Sequence, residues 1–75
     1  MAKDESQLIY EFLLQNELYT QRELDIACSV GGFNIETLNY LVYRETSYHD
    51  IEQLWQCERK TYFFNNEIIK KLGLE

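Results

Sequence analysis

Residues 20–53, TQRELDIACSVGGFNIETLNYLVYRETSYHDIEQ, hold two helix-start signals and the chain's one Gly-Gly pair, which together cut the stretch into three short helical segments. Thr20-Gln21-Arg22-Glu23 has the form of a capping box. In such a box the Thr20 hydroxyl accepts from the Glu23 amide while the Glu23 side chain reaches back to the Thr20 amide. A helix is predicted to start there, with Leu24, Ala27 and Cys28 on its inner side, and to end at Gly31-Gly32, where left-handed backbone is cheap. Asn34 suits the N-cap of a second helix carrying Ile35, Leu38, Leu41 and Val42 along one side and stopping near Thr46-Ser47. Ser47-Tyr48-His49-Asp50 resembles a second capping box with Asp in place of Glu, opening a helix that buries Ile51, Leu54 and Trp55.

On the N-terminal side, Leu8, Ile9, Phe12 and Leu13 form two interleaved i,i+4 pairs, opposed by Glu11, Gln15 and Asn16. This predicts an amphipathic helix of roughly three turns, capped by Asp4 or Ser6. Tyr19 precedes the Thr20 cap as a hydrophobic staple would. On the C-terminal side the helical pattern fades at Cys57-Glu58. The aromatics of Arg59-Lys60-Thr61-Tyr62-Phe63-Phe64 favour a strand, but a lone strand has no partner, so the segment reads as extended or turn-like, laying Phe63 or Phe64 onto the helices. Asn65-Asn66 caps a last helix with Ile68, Ile69 and Leu72 inward, Lys70 and Lys71 at its C-terminal end and Gly73 closing it. The expected fold is all-α: one small domain over residues 1–75, a bundle of four to five short helices, with 1–6 and 73–75 frayed. Its expected centre is Leu24, Ala27, Leu38, Leu41, Val42, Ile51, Leu54 and Trp55.

Composition bounds the function. At 75 residues with 45% hydrophobic content, the chain supports a packed core and not wholesale disorder. Its formal net charge of −6 is unevenly laid out: residues 1–58 carry −8, with Lys3, Arg22 and Arg44 as the basic groups, and residues 59–75 carry +2. That field repels nucleic acid unless basic groups cluster. Cys28 and Cys57 form no CxxC pair, zinc set or disulfide framework, and read as reduced thiols packed as small hydrophobes. With no secretory h-region and no apolar run of about 20 residues, a cytoplasmic protein without a membrane span is the expectation.

Residues 20–44 can be laid on a helix-turn-helix template, with Cys28, Gly32, Leu38 and Leu41 in suitable places, although any two short helices joined through glycine satisfy it. The outward positions of the second helix are Glu36, Tyr40, Tyr43 and Arg44. One cation among them suits base readout and phosphate anchoring poorly. Tyrosine, by contrast, offers large contact area at little entropic cost and is enriched where proteins meet. Tyr48 falls on the core side instead. His49 and Asp50 point apart on a helix, His49 and Cys57 alone do not make a metal site, and there is no nucleophile elbow or phosphate loop. No catalytic residue, cofactor or metal site is predicted.

The run Gly32-Phe33-Asn34-Ile35-Glu36-Thr37-Leu38-Asn39-Tyr40, continuing through Thr46-Ser47-Tyr48 to Glu52-Gln53, resembles a segment of small uncharacterised proteins of bacteriophages and prophages of gut-type bacteria. The likeness lies in Gly-aromatic-Asn, Glu-Thr-Leu-Asn, a Tyr before the turn and a Thr-x-Tyr-x-x-x-Glu-Gln ending, and it covers about a third of the chain. Ser47 stands where such proteins have glycine. The resemblance implies a phage or mobile-element origin and carries no activity and no site residue with it. The reading from the residues is a non-enzymatic protein that binds an unknown protein partner through the acidic, tyrosine-bearing side of the second helix. Tyr40 and Tyr43 serve as anchors, with Glu36, Glu45 and Asp50 as rim charges beside Arg44, and a homodimer stays open. The alternative is a helix-turn-helix DNA-binding regulator using Arg44 and the basic tail.

Overall fold

The computed structural model describes residues 4–74, and these form five helices: α1 (Glu5–Gln15), α2 (Gln21–Gly31), α3 (Ile35–Thr46), α4 (Ile51–Glu58) and α5 (Asn66–Leu72). Among the described residues there is no strand, as the all-α reading requires. Every helix begins on a side-chain cap whose oxygen takes a backbone N–H that the helix itself cannot satisfy. These are Asp4, Thr20, Asn34, Asp50 and Asn65. The Thr20–Glu23 box closes in both directions, at 3.2 and 2.9 Å.

The second box does not form where the sequence places it. Ser47 lies in left-handed backbone at φ 67°, ψ 7° and ends α3, its N–H donating to the Tyr43 carbonyl at 2.8 Å. An N-cap needs extended backbone, so Ser47 cannot serve as one. The start of α4 moves three residues on to Asp50, whose carboxylate accepts from the Gln53 amide while the Gln53 side chain accepts from the His49 amide, both at 2.9 Å. The pattern is box-like three residues later, except that Gln53 takes the N–H of His49, before the cap, and not that of Asp50.

The core is built on α1 and α3. Leu8, Ile9, Phe12 and Leu13 from α1 meet Leu38, Leu41 and Val42 from α3, and Leu24, Ile51, Leu54, Phe64 and Ile68 close over them. α1 packs against α3 and α5, while α2 and α4 pack against α3. The expected centre is thereby corrected: α1 belongs in it, and Ala27 and Trp55 are only partly buried at its edge. Ile35 leaves the inner face altogether and is 39% exposed. It is the first residue of α3. Ser6 is buried and Leu74 packs on the core, whereas residues 1–3 and 75 of the segments expected to fray lie outside the described residues.

The segment after α4 is turn-like and turns Phe64 inward, not Phe63. Asn16 at the end of α1 accepts from the Phe63 amide at 2.6 Å and donates to the Phe63 carbonyl at 2.9 Å. With that backbone pinned, Phe64 enters the core against Phe12, ring centroids 4.9 Å apart, and meets Trp55 edge-on at 5.2 Å. Phe63 is left outside, 59% exposed.

Candidate functional site

A hairpin of α2 and α3 joined by Gly32-Phe33-Asn34 carries most of the exposed large hydrophobic side chains among the described residues. The exposed large hydrophobic residues among those described are Ile26, Val30, Phe33, Ile35, Tyr40, Tyr43 and Phe63, and all but Phe63 lie between residues 26 and 43. The turn that makes the hairpin is tight. Gly32 adopts φ 88°, ψ 154°, a region that side chains exclude, and donates to the Cys28 carbonyl at 2.8 Å. The Thr37 hydroxyl of α3 donates to the Gly31 carbonyl at 2.8 Å and so ties the end of α2 to the start of α3.

Along the hairpin runs an open groove of about 390 Å³ lined by Ala27, Val30 and Gly31 from α2 and by Glu36, Thr37, Tyr40, Leu41 and Arg44 from α3. Val30 stands on its rim 87% exposed, and Tyr40 is 60% exposed. Glu36, Tyr40 and Arg44 follow one another at four-residue steps and therefore share one stripe of the helix. The groove has an anion toward one end, a cation toward the other and an aromatic ring between them.

The other expected site residues fall elsewhere. Tyr43 is exposed beside this stripe, its ring stacked on His49 with centroids 5.1 Å apart and planes 12° from parallel. Glu45 is exposed on the opposite flank, beside Tyr19. There the Tyr19 hydroxyl donates to the Leu41 carbonyl at 3.1 Å. Burial, and after it the Glu45 charge, pushes this phenol up to about 12. Asp50 is occupied as the cap of α4 and lines a separate cavity of about 180 Å³ with Glu5, Asn39 and Glu52. The structure thus brings Glu36, Tyr40 and Arg44 together, sets Tyr43 next to them, and disperses Glu45 and Asp50. The tyrosine-bearing face is mixed in charge.

Sequence reasoning gave no role to Val30 or Ile26. The signal was present: Leu24, Ala27 and Cys28 define the buried side of α2, and Ile26 and Val30, an i,i+4 pair, fall away from it. On the far side of α2, Tyr10 donates to Asp25 at 3.1 Å and its ring meets Phe33 at 5.6 Å, tying the hairpin to α1. Cys28 is partly buried there, and burial followed by the Asp25 charge raises its thiol pKa. Cys57 is exposed, not packed as the sequence suggested, and both thiols are free. Among the described residues no group of three or more His, Cys, Asp or Glu side chains could hold a metal ion, and no helix is long and apolar enough to cross a membrane.

The basic residues do not share one element. Arg44 lines the hairpin groove, Arg59 lies over the Trp55 ring at 5.1 Å, and Lys70 and Lys71 occupy the last turn of α5. No protein-family model, curated protein or solved structure matches this chain.

Proposed function

We propose that this chain is a non-enzymatic protein-binding module, of phage or prophage origin, whose contact surface is the α2–α3 hairpin. One observation carries the reading: six of the seven exposed large hydrophobic side chains among the described residues lie on that hairpin, and two of them, Val30 and Tyr40, line a groove flanked by charge. Monomeric proteins rarely leave a contiguous apolar patch uncovered, and patches rimmed by polar groups mark interaction sites. Tyr40 is the central anchor, Val30 and Tyr43 flank it, and Glu36 and Arg44 set orientation at the rim. The same face supports a helix-turn-helix reading less well, because its outward positions supply a single cation for a duplex that needs several.

Cross-linking in cells from a photoreactive residue placed at Tyr40, with Phe63 as the comparison position, tests the proposal. Protein adducts at Tyr40 are expected. Adducts at Phe63 with none at Tyr40, or adducts to nucleic acid, would overturn it.

A further inference from the structure

We infer that the occupant of the hairpin groove is a second copy of this chain, related by a two-fold axis that passes beside Tyr40. This rests on the reading of the hairpin as a docking surface and names what docks. Glu36 and Arg44 stand four residues to either side of Tyr40, on the same stripe, and both line the groove. At the rise of an α-helix each step is about 6 Å along the axis. Opposite charges are thus placed at equal distances from a central aromatic ring.

An antiparallel crossing of two such helices about a two-fold axis sets Glu36 of each copy against Arg44 of the other and brings the two Tyr40 rings together. A parallel crossing would set like against like. The stripe is therefore complementary to itself in one orientation. Charge also selects among occupants: a purely basic partner would leave Arg44 facing its own sign, and a purely acidic one would do the same to Glu36. Val30, 87% exposed on the rim, supplies apolar area that this contact would cover.

Net charge opposes the pairing, since each copy carries −6. That repulsion acts at range and is screened beyond about 8 Å at physiological salt, whereas the Glu36–Arg44 pairs lie in contact. Added salt should therefore relieve the long-range repulsion.

Sedimentation velocity of the full chain over a concentration series tests the inference on wild type, Glu36→Arg, Arg44→Glu and the double variant. Wild type should dimerise reversibly, each single reversal should weaken the dimer by about tenfold or more, and the double reversal should restore it. An equimolar mixture of the two single variants should form a heterodimer that neither forms alone. Both positions are exposed, so thermal melts by circular dichroism should show all four chains folded; Val30→Asp, at another exposed position, should also abolish the dimer. A wild type that stays monomeric throughout overturns the inference, as does a dimer indifferent to the single reversals or not regained in the folded double variant. A monomer whose Tyr40 position still cross-links to a different protein removes only the second copy. A monomer with no adduct at Tyr40 removes the docking surface as well.

Discussion

Tyr19 shows how one side chain outside a helix can hold two helices in place. It precedes the cap of α2, and its hydroxyl reaches the Leu41 carbonyl of α3 at 3.1 Å, with the Glu45 carboxylate beside it. Burial first, and the Glu45 charge after it, disfavour a phenolate there, so the fold favours the protonated form and the pKa rises from 10.0 to about 12. A raised pKa means that the contribution is whole below the unfolded value near 10 and is lost as pH climbs through about 12. Tyr10 and Tyr48 are raised in the same direction, Tyr10 chiefly by burial and Tyr48 chiefly by its bond to Glu58, and add to that loss. Urea melts at rising alkaline pH should show stability falling across this window, and Tyr19→Phe should flatten the fall; an unchanged slope would contradict the assignment. In the core, Phe12 is 1% exposed whereas Trp55 is only partly buried. Phe12→Ala should therefore cost about 3–5 kcal/mol and Trp55→Ala about 1–3 kcal/mol in denaturant melts, with equal losses contradicting the order. Trp55 looks central in sequence because it lies four residues after Ile51, one helical turn on, and next to Leu54. Its true place at the edge depends on where Phe64 lands, and Asn16 decides that through a contact 47 residues away in sequence.

At the level of elements, caps and turns were legible because their chemistry is local. Asp4, Thr20, Asn34 and Gly73 act where the residues suggest, and the α1 stripe is buried as its spacing predicts. The start of α4 was misplaced because Ser47-Tyr48-His49-Asp50 satisfies the capping pattern in letters while the end of α3 claims Ser47 for a left-handed closure. That conformation is strained for serine and easy for glycine. Ser47→Gly should stabilise the fold by about 0.5–1 kcal/mol, measured as a shift in denaturation midpoint at constant slope, whereas a loss would show that the hydroxyl matters more than the backbone. Gly32 has the opposite dependence. Gly32→Ala should cost about 1–3 kcal/mol and loosen the α2–α3 turn, visible as faster amide exchange at residues 31–37, and an unaffected midpoint would contradict the geometry.

For the molecule as a whole, the helical class and the outward stripe of α3 were readable from periodicity, but the shape of the groove was not. Sequence spacing places Glu36, Tyr40 and Arg44 on one stripe; only the packing of α2 against α3 adds Val30 to it, and only the use of Asp50 as a cap takes that carboxylate away. The same geometry weighs against duplex DNA as a ligand. With one cation in the groove, binding should stay no tighter than about 10⁻⁴–10⁻⁶ M near physiological salt, and a saturable complex below about 10⁻⁸ M weakened by Arg44→Ala would contradict this. The claim that the α2–α3 face pairs with a second copy of this chain is most directly tested by amide ¹H–¹⁵N spectra recorded over a dilution series. Concentration-dependent shifts should cluster at Ile26, Val30, Glu36, Tyr40 and Arg44 and leave Phe63 and α5 unmoved. Shifts centred on Phe63 or α5, or spectra that do not change at any concentration, would contradict the account.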